Sequence, residues 1–234
     1  MLITDAVRTL ARDLQAVFGD RLRSVVAYGD AGGSDRAPTP TLAVVDGLTA
    51  DDLRACAGLI TAWHDAGLAT PLVLGAQEFG RSLDVFPYEF GAILADHVIV
   101  SGENPFEGLR VDPAHLRQAC EVQARSHLLH LREGYLETRG RSDALAELLS
   151  RSAAPFAALV KSVFRLQGNG AGDARAAATE VERTLGVPAG TITEIVNRSG
   201  GSLSSDEARR MFPGYLDAVE RLTQYIDRWN ADGW

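Results

Sequence analysis

Apolar and polar positions alternate with two different periods along the chain, and the change of period marks the elements. Val7, Leu10, Ala11, Leu14 and Val17-Phe18 recur at helical spacing between Thr4, a candidate cap, and Gly19, a candidate stop, which predicts an amphipathic helix. The β-branched run Ser24-Val25-Val26-Ala27-Tyr28 then predicts a strand that stops at Gly29. A loop rich in Gly, Ser, Asp and Pro leads to a second apolar run, Leu42-Ala43-Val44-Val45, which predicts a second strand. Thr49 is placed to cap a helix that carries Asp51 and Asp52 in its first turn, where the helix dipole favours acids, and that runs to Gly67 with Leu59 and Trp63 on its core face. Pro71 to Gly75 predicts a third strand.

In the stretch from Gln77 to Val100, Asp84 precedes Pro87 and is expected to cap the helix that Pro87 begins, with Phe86 and Phe90 packing on one face. His97 to Val100 predicts a short strand. Ser101 to Pro113 holds two prolines and two glycines without any period and reads as a linker. Beyond it every periodic segment is helical. Asp112-Pro113 opens a helix to about Thr138; Ser142-Asp143 opens another to Gln167, with Pro155 predicting a kink or a break. Asp173 to Leu185, Pro188 to Arg198 and a final segment capped by Ser204 or Ser205 and running to about Asn230 complete a set of helices joined by short loops. The fold expected is α/β (α+β): residues 1–107 form a mixed sheet with helices, and residues 113–234 an all-α bundle.

Composition narrows the function classes. The net charge of −8 argues against a broad nucleic-acid surface, because basic residues are scattered singly between acids. Lys161 is the only lysine, so no Gly-Lys-Ser/Thr phosphate loop can be written. Cys56 and Cys120 are too few for a disulfide framework or a cysteine-based zinc site and read as reduced thiols. No run approaches the length of a membrane span, and Asp5 and Asp13 interrupt the amino terminus where a signal peptide would be apolar. A cytoplasmic protein is expected, with no nucleic-acid or membrane partner; its partner would be a small molecule or a protein, a second copy of this chain included.

The strand ending at Tyr28-Gly29, the loop after it and the strand at Leu42–Val45 resemble the start of the nucleotidyltransferase fold shared by kanamycin nucleotidyltransferase and the minimal bacterial nucleotidyltransferases. The segment Ser82-Leu83-Asp84-Val85-Phe86-Pro87-Tyr88-Glu89-Phe90 is likewise similar to one found in nucleotidyltransferase-like proteins of bacteria. The resemblance implies a first strand ending in Gly-Ser and, roughly ten residues later, an acid pair on the second strand. Nucleotidyl transfer uses two divalent cations about 3.5–4 Å apart, which carboxylates at i and i+2 of one strand clamp with a third acid from a neighbour. Between Thr39 and Val45 there is no acid, and Pro71 to Leu74 has none. Asp30 stands where the family serine would be; beside a phosphate a like charge at 4 Å costs about 4 kcal/mol at an effective dielectric of 20. The residue-level reading of Asp30 is a turn former bonding its own backbone.

One helical constellation remains. On the segment 113–138, Leu116, Cys120, Ala124, Leu128 and Leu131 share an arc, and Gln123, His127 and His130 lie on or beside it. Two histidines three apart could share a metal, but a third and fourth ligand on that face are not evident, and histidines lining a cleft are the simpler reading. The resemblance therefore implies a catalytically inactive nucleotidyltransferase-like protein that binds a ligand or a partner. Its candidate cleft residues are Tyr28, Gly29, Asp30, Ser34, Asp84, Glu89, Gln123, His127 and His130, with no catalytic residue, metal ligand or cofactor expected. The competing class is an active transferase using Mg²⁺ held by Asp30, Asp35, Asp84 or Glu89 and acting on a small hydroxyl compound or a protein. A purely structural role is the third.

Overall fold

The computed structural model describes residues 3–29, 38–170, 172–198 and 201–229. The chain divides into two compact units, Met1–Val111 and Asp112–Trp234.

The first unit is a four-stranded mixed sheet between two layers of helix. Helix α1 (Asp5–Phe18) starts where Thr4 accepts a bond from the Val7 N–H and stops at Gly19, whose φ of +55° suits a residue without Cβ. A single 3₁₀ turn, Gly19–Arg21, leads into β1 (Leu22–Tyr28), followed by β2 (Thr41–Val45). Strand β3 (Leu72–Gly75) and strand β4 (His97–Gly102) complete the order β3-β2-β1-β4. β1 runs antiparallel to β2 and β4, whereas β2 and β3 are parallel. The parallel pair needs a crossover, which α2 (Ala50–Ala57) and α3 (Ile60–Asp65) provide.

The unbroken apolar runs of β1 and β2 follow from their central position. Val25, Ala27, Ala43 and Val45 pack with Val7, Leu10, Leu14, Phe18 and Trp63 on one face. Val26, Leu42 and Val44 point the other way, onto Phe79, Leu83, Phe90 and Ile93 of α4 (Ala76–Val85) and α5 (Pro87–Ala95). Trp63 Nε1 donates to Asp13 at 2.9 Å, which ties α3 to α1.

Several expectations are corrected here. The helix expected from Thr49 to Gly67 is two helices: at Gly58 and Leu59 the chain tightens, with Gly58 N donating to Ala55 O and Leu59 N to Cys56 O. Asp84 caps nothing. It lies exposed in the last turn of α4, and Phe86, which has no side-chain cap bond to offer, occupies the cap position of α5. Phe86 is 52% exposed and does not pair with Phe90; the partners are Phe79, edge-on to Phe90 at 5.7 Å, and Phe106, edge-on to Phe79 at 5.4 Å. Phe106 comes from the stretch read as a linker. Ser101 and Gly102 extend β4, and Leu109 and Val111 pack on the same cluster, so this stretch belongs to the first unit.

The second unit contains α6 (Pro113–Glu137), α7 (Ser142–Leu166), α8 (Ala174–Leu185), α9 (Thr191–Val196) and α10 (Ser205–Arg228). The long helices α6, α7 and α10 pack on one another, α8 lies on α7, and α9 fits against α7, α8 and α10. Asp112, Asp173 and Ser204 supply side-chain caps, and Gly186 closes α8 in the left-handed region. α7 runs unbroken through Pro155. The lost backbone bond and ring clash typically cost about 3 kcal/mol, and burial of Leu149, Ala153, Phe156 and Val160 on either side outweighs them. α9 begins three residues later than Pro188, at Thr191. Among the described residues no helix is long and apolar enough to cross a membrane.

Candidate functional site

In the first unit, Tyr28 and Gly29 end β1. Tyr28 N donates to Pro40 O and Gly29 N to Asp96 O, and Tyr28 lies opposite His97 on β4. Gly29 has a φ of +81°, so the turn there needs a residue without Cβ. Burial raises the Tyr28 phenol above its ordinary range. Asp30 and Ser34 lie outside the described residues, as does Asp35. Of Thr39, Pro40, Thr41 and Leu42, which stand where the acid pair is expected, the first two precede β2 and are half-buried; every residue of β2 is buried, and the Thr41 hydroxyl has no hydrogen-bond partner among the described residues. Asp46, the first acid after β2, accepts from Arg23 Nε at 2.6 Å. Glu89 is exposed in the first turn of α5. Among the described residues no three His, Cys, Asp or Glu side chains stand together so as to hold a metal.

In the second unit, α6 and α7 form an antiparallel hairpin. Gly134 faces Leu148, and His127 faces Phe156, so the contacts step in opposite directions along the two helices. Gly134 permits this approach, since a Cβ there would come within 2.5 Å of Leu148 Cδ1. Beside this seam lies a pocket of ≈ 280 Å³. Gln123, Ser126, His127 and His130 line it from α6, while Arg151 and Ser152 supply polar groups from α7. Leu131, Leu148, Pro155 and Leu159 are its apolar walls. Gln123, His127 and His130, the three helical candidates, are thus brought together. Tyr28, Gly29, Asp84 and Glu89 belong to the first unit.

His127 is the most constrained of the three. Its ring stacks on Phe156 at 5.4 Å, and its Nε2 is 2.7 Å from Tyr215 Oη. Tyr215 Oη donates to Ser152 Oγ at 3.2 Å, and Ser152 Oγ donates to the Leu149 carbonyl at 3.0 Å. The carbonyl can only accept, so each hydroxyl must pass its single proton towards it. Tyr215 is left accepting from His127, which fixes the proton on Nε2 and leaves Nδ1 as a lone-pair acceptor. Burial, with a smaller contribution from His130, pulls His127 down to about 4, so the ring is neutral near pH 7. Burial pushes the Tyr215 phenol well up, and that of Cys120 pushes its thiol up to about 12. His130 is exposed, with Nδ1 at 3.4 Å from Glu133. Arg151 is also exposed, and its nearest acid, Glu147, is 3.8 Å away, beyond hydrogen-bond distance.

Sequence reasoning missed Ser152, Tyr215 and Arg151. Tyr215 lies within the apolar stripe Met211, Phe212, Ala218, Val219 of α10 and reads there as ordinary core. Ser152 sits between Leu149 and Phe156 on the buried side of α7, and a polar residue at such a position is the one available signal. No protein-family model matches the sequence, and no curated protein matches it.

Proposed function

We propose that this protein is a nucleotidyltransferase-like chain that does not transfer nucleotides and instead binds a small ligand in its helical unit. The observation that carries the reading is β2. Where the resemblance places metal-binding acids, among Thr39, Pro40, Thr41 and Leu42, there is no carboxylate, and Thr41 and Leu42 are buried in the sheet. An acid at Thr41 or Leu42 would put a charge into the sheet interior, at a cost of several kcal/mol. A pocket with apolar walls and several polar side chains lies between α6 and α7.

Pyrophosphate release tests the first half of the proposal. With Mg²⁺ or Mn²⁺ and each of the four nucleoside triphosphates, none above background is expected. Metal-dependent turnover abolished by Asp30→Ala or Asp84→Ala would overturn it in favour of an active transferase.

A further inference from the structure

The pocket between α6 and α7 offers its two kinds of recognition at different places. His127, its ring clamped by Phe156 and its proton committed to Tyr215, has only an acceptor left, at Nδ1. The half-buried ring lines the pocket, so a ligand donor can reach this lone pair. Among the described lining residues, the Arg151 guanidinium is the one permanent charge and none is a carboxylate, Glu147 lying 3.8 Å from Arg151 off the lining. From Arg151 past Pro155 to Leu159 the α7 wall changes from cationic to apolar over about 12 Å, at 1.5 Å per helical residue. A cavity of ≈ 280 Å³ is at the small end for ligand sites, which limits the occupant to a compact molecule.

We infer that this pocket binds a compact amphiphilic anion: an apolar body carrying one uncharged N–H or O–H donor, which meets His127 Nδ1, and a carboxylate, which meets Arg151. The inference rests on the ligand-binding reading above and adds the chemistry of the ligand. A cationic donor is disfavoured by Arg151, and a molecule without a donor leaves His127 unpaired.

Three related probes separate these contributions in calorimetric titrations of the full chain. Indole-3-acetate has the ring N–H and the carboxylate, benzofuran-3-acetate lacks only the donor, and 3-methylindole lacks only the carboxylate. Indole-3-acetate should bind, and each of the other two should bind about tenfold more weakly or worse, since one charged or buried hydrogen bond accounts for such a factor. His127→Phe keeps the ring stack on Phe156 and should erase the difference between indole-3-acetate and benzofuran-3-acetate. Arg151→Gln, at an exposed side chain that the fold does not need, should erase the difference between indole-3-acetate and 3-methylindole. No binding of indole-3-acetate at millimolar concentration, equal binding of all three probes, a difference between indole-3-acetate and 3-methylindole that persists in Arg151→Gln, or one between indole-3-acetate and benzofuran-3-acetate that persists in His127→Phe would each overturn the assignment. A chain that releases pyrophosphate yet discriminates among the probes in this way would remove the non-catalytic reading and leave the pocket's chemistry standing.

Discussion

Glu182 is buried in α8 and accepts backbone N–H bonds from Gly190, Ile192 and Thr193 at 3.1, 2.7 and 2.7 Å. It therefore satisfies the open N-terminal donors of α9, a helix too short to persist unaided. Glu182→Ala leaves these donors without a partner, and urea unfolding should show a loss of about 3–5 kcal/mol. His127 gives a pH dependence of known sign. Its folded pKa of about 4 lies below the 6.5 of an unfolded histidine, so between those values the unfolded chain binds a proton that the folded chain does not. The stabilisation is complete above pH 6.5, declines as pH falls and is spent below pH 4, amounting to something on the order of 3 kcal/mol. The His127 ring resonances should accordingly titrate near pH 4, and ordinary titration near 6.5 would contradict the buried hydrogen-bonded ring. Sequence alone places Gln123, His127 and His130 on one edge of α6, because a helix's period is local. It does not reveal Tyr215, 88 residues from His127, or Ser152, 63 residues from Tyr215.

At the scale of elements, β4 depends on one glycine. Gly102 has a φ of +79°, and a Cβ there would fall 2.0 Å from the Arg23 carbonyl oxygen across the ladder. Gly102→Ala must push β4 away from β1, with an expected loss of more than about 2 kcal/mol and faster amide exchange confined to those two strands. α7 offers the opposite case. Pro155→Ala restores the N–H for the Arg151 carbonyl, and the gain should exceed the lost benefit of a stiffer unfolded chain, giving about 1–2 kcal/mol of stabilisation in thermal melts. Caps are the legible part of these elements. Thr49 and Asp52 form a reciprocal capping box, and Asp52 also takes both Arg21 nitrogens, at 2.8 and 2.7 Å. The first of these interactions spans three residues and is written in the sequence; the second joins α2 to the turn before β1 and is not.

At the scale of the whole molecule, the chain's two units have separate cores, and Arg110 is exposed beside the boundary at Val111 and Asp112. Brief trypsin treatment should cut first at Arg110, and the fragments 1–110 and 111–234 should each keep a cooperative melt. A fragment that loses its secondary structure on separation would show that its core is incomplete. The sequence by itself determined the kind and order of most elements, the helical nature of everything after residue 112, and the absence of an acid pair from β2, because periodicity, caps and residue identity act within a turn or a strand. Tertiary structure decided the rest. It broke the helix after Thr49, carried α7 through Pro155, replaced Phe86 by Phe79 and Phe106 as partners in the Phe90 cluster, and drew residues 101–111 into the first unit. It also oriented His127 through Tyr215 and Ser152. In each case the deciding energy is burial against residues distant in sequence, which local propensity does not register.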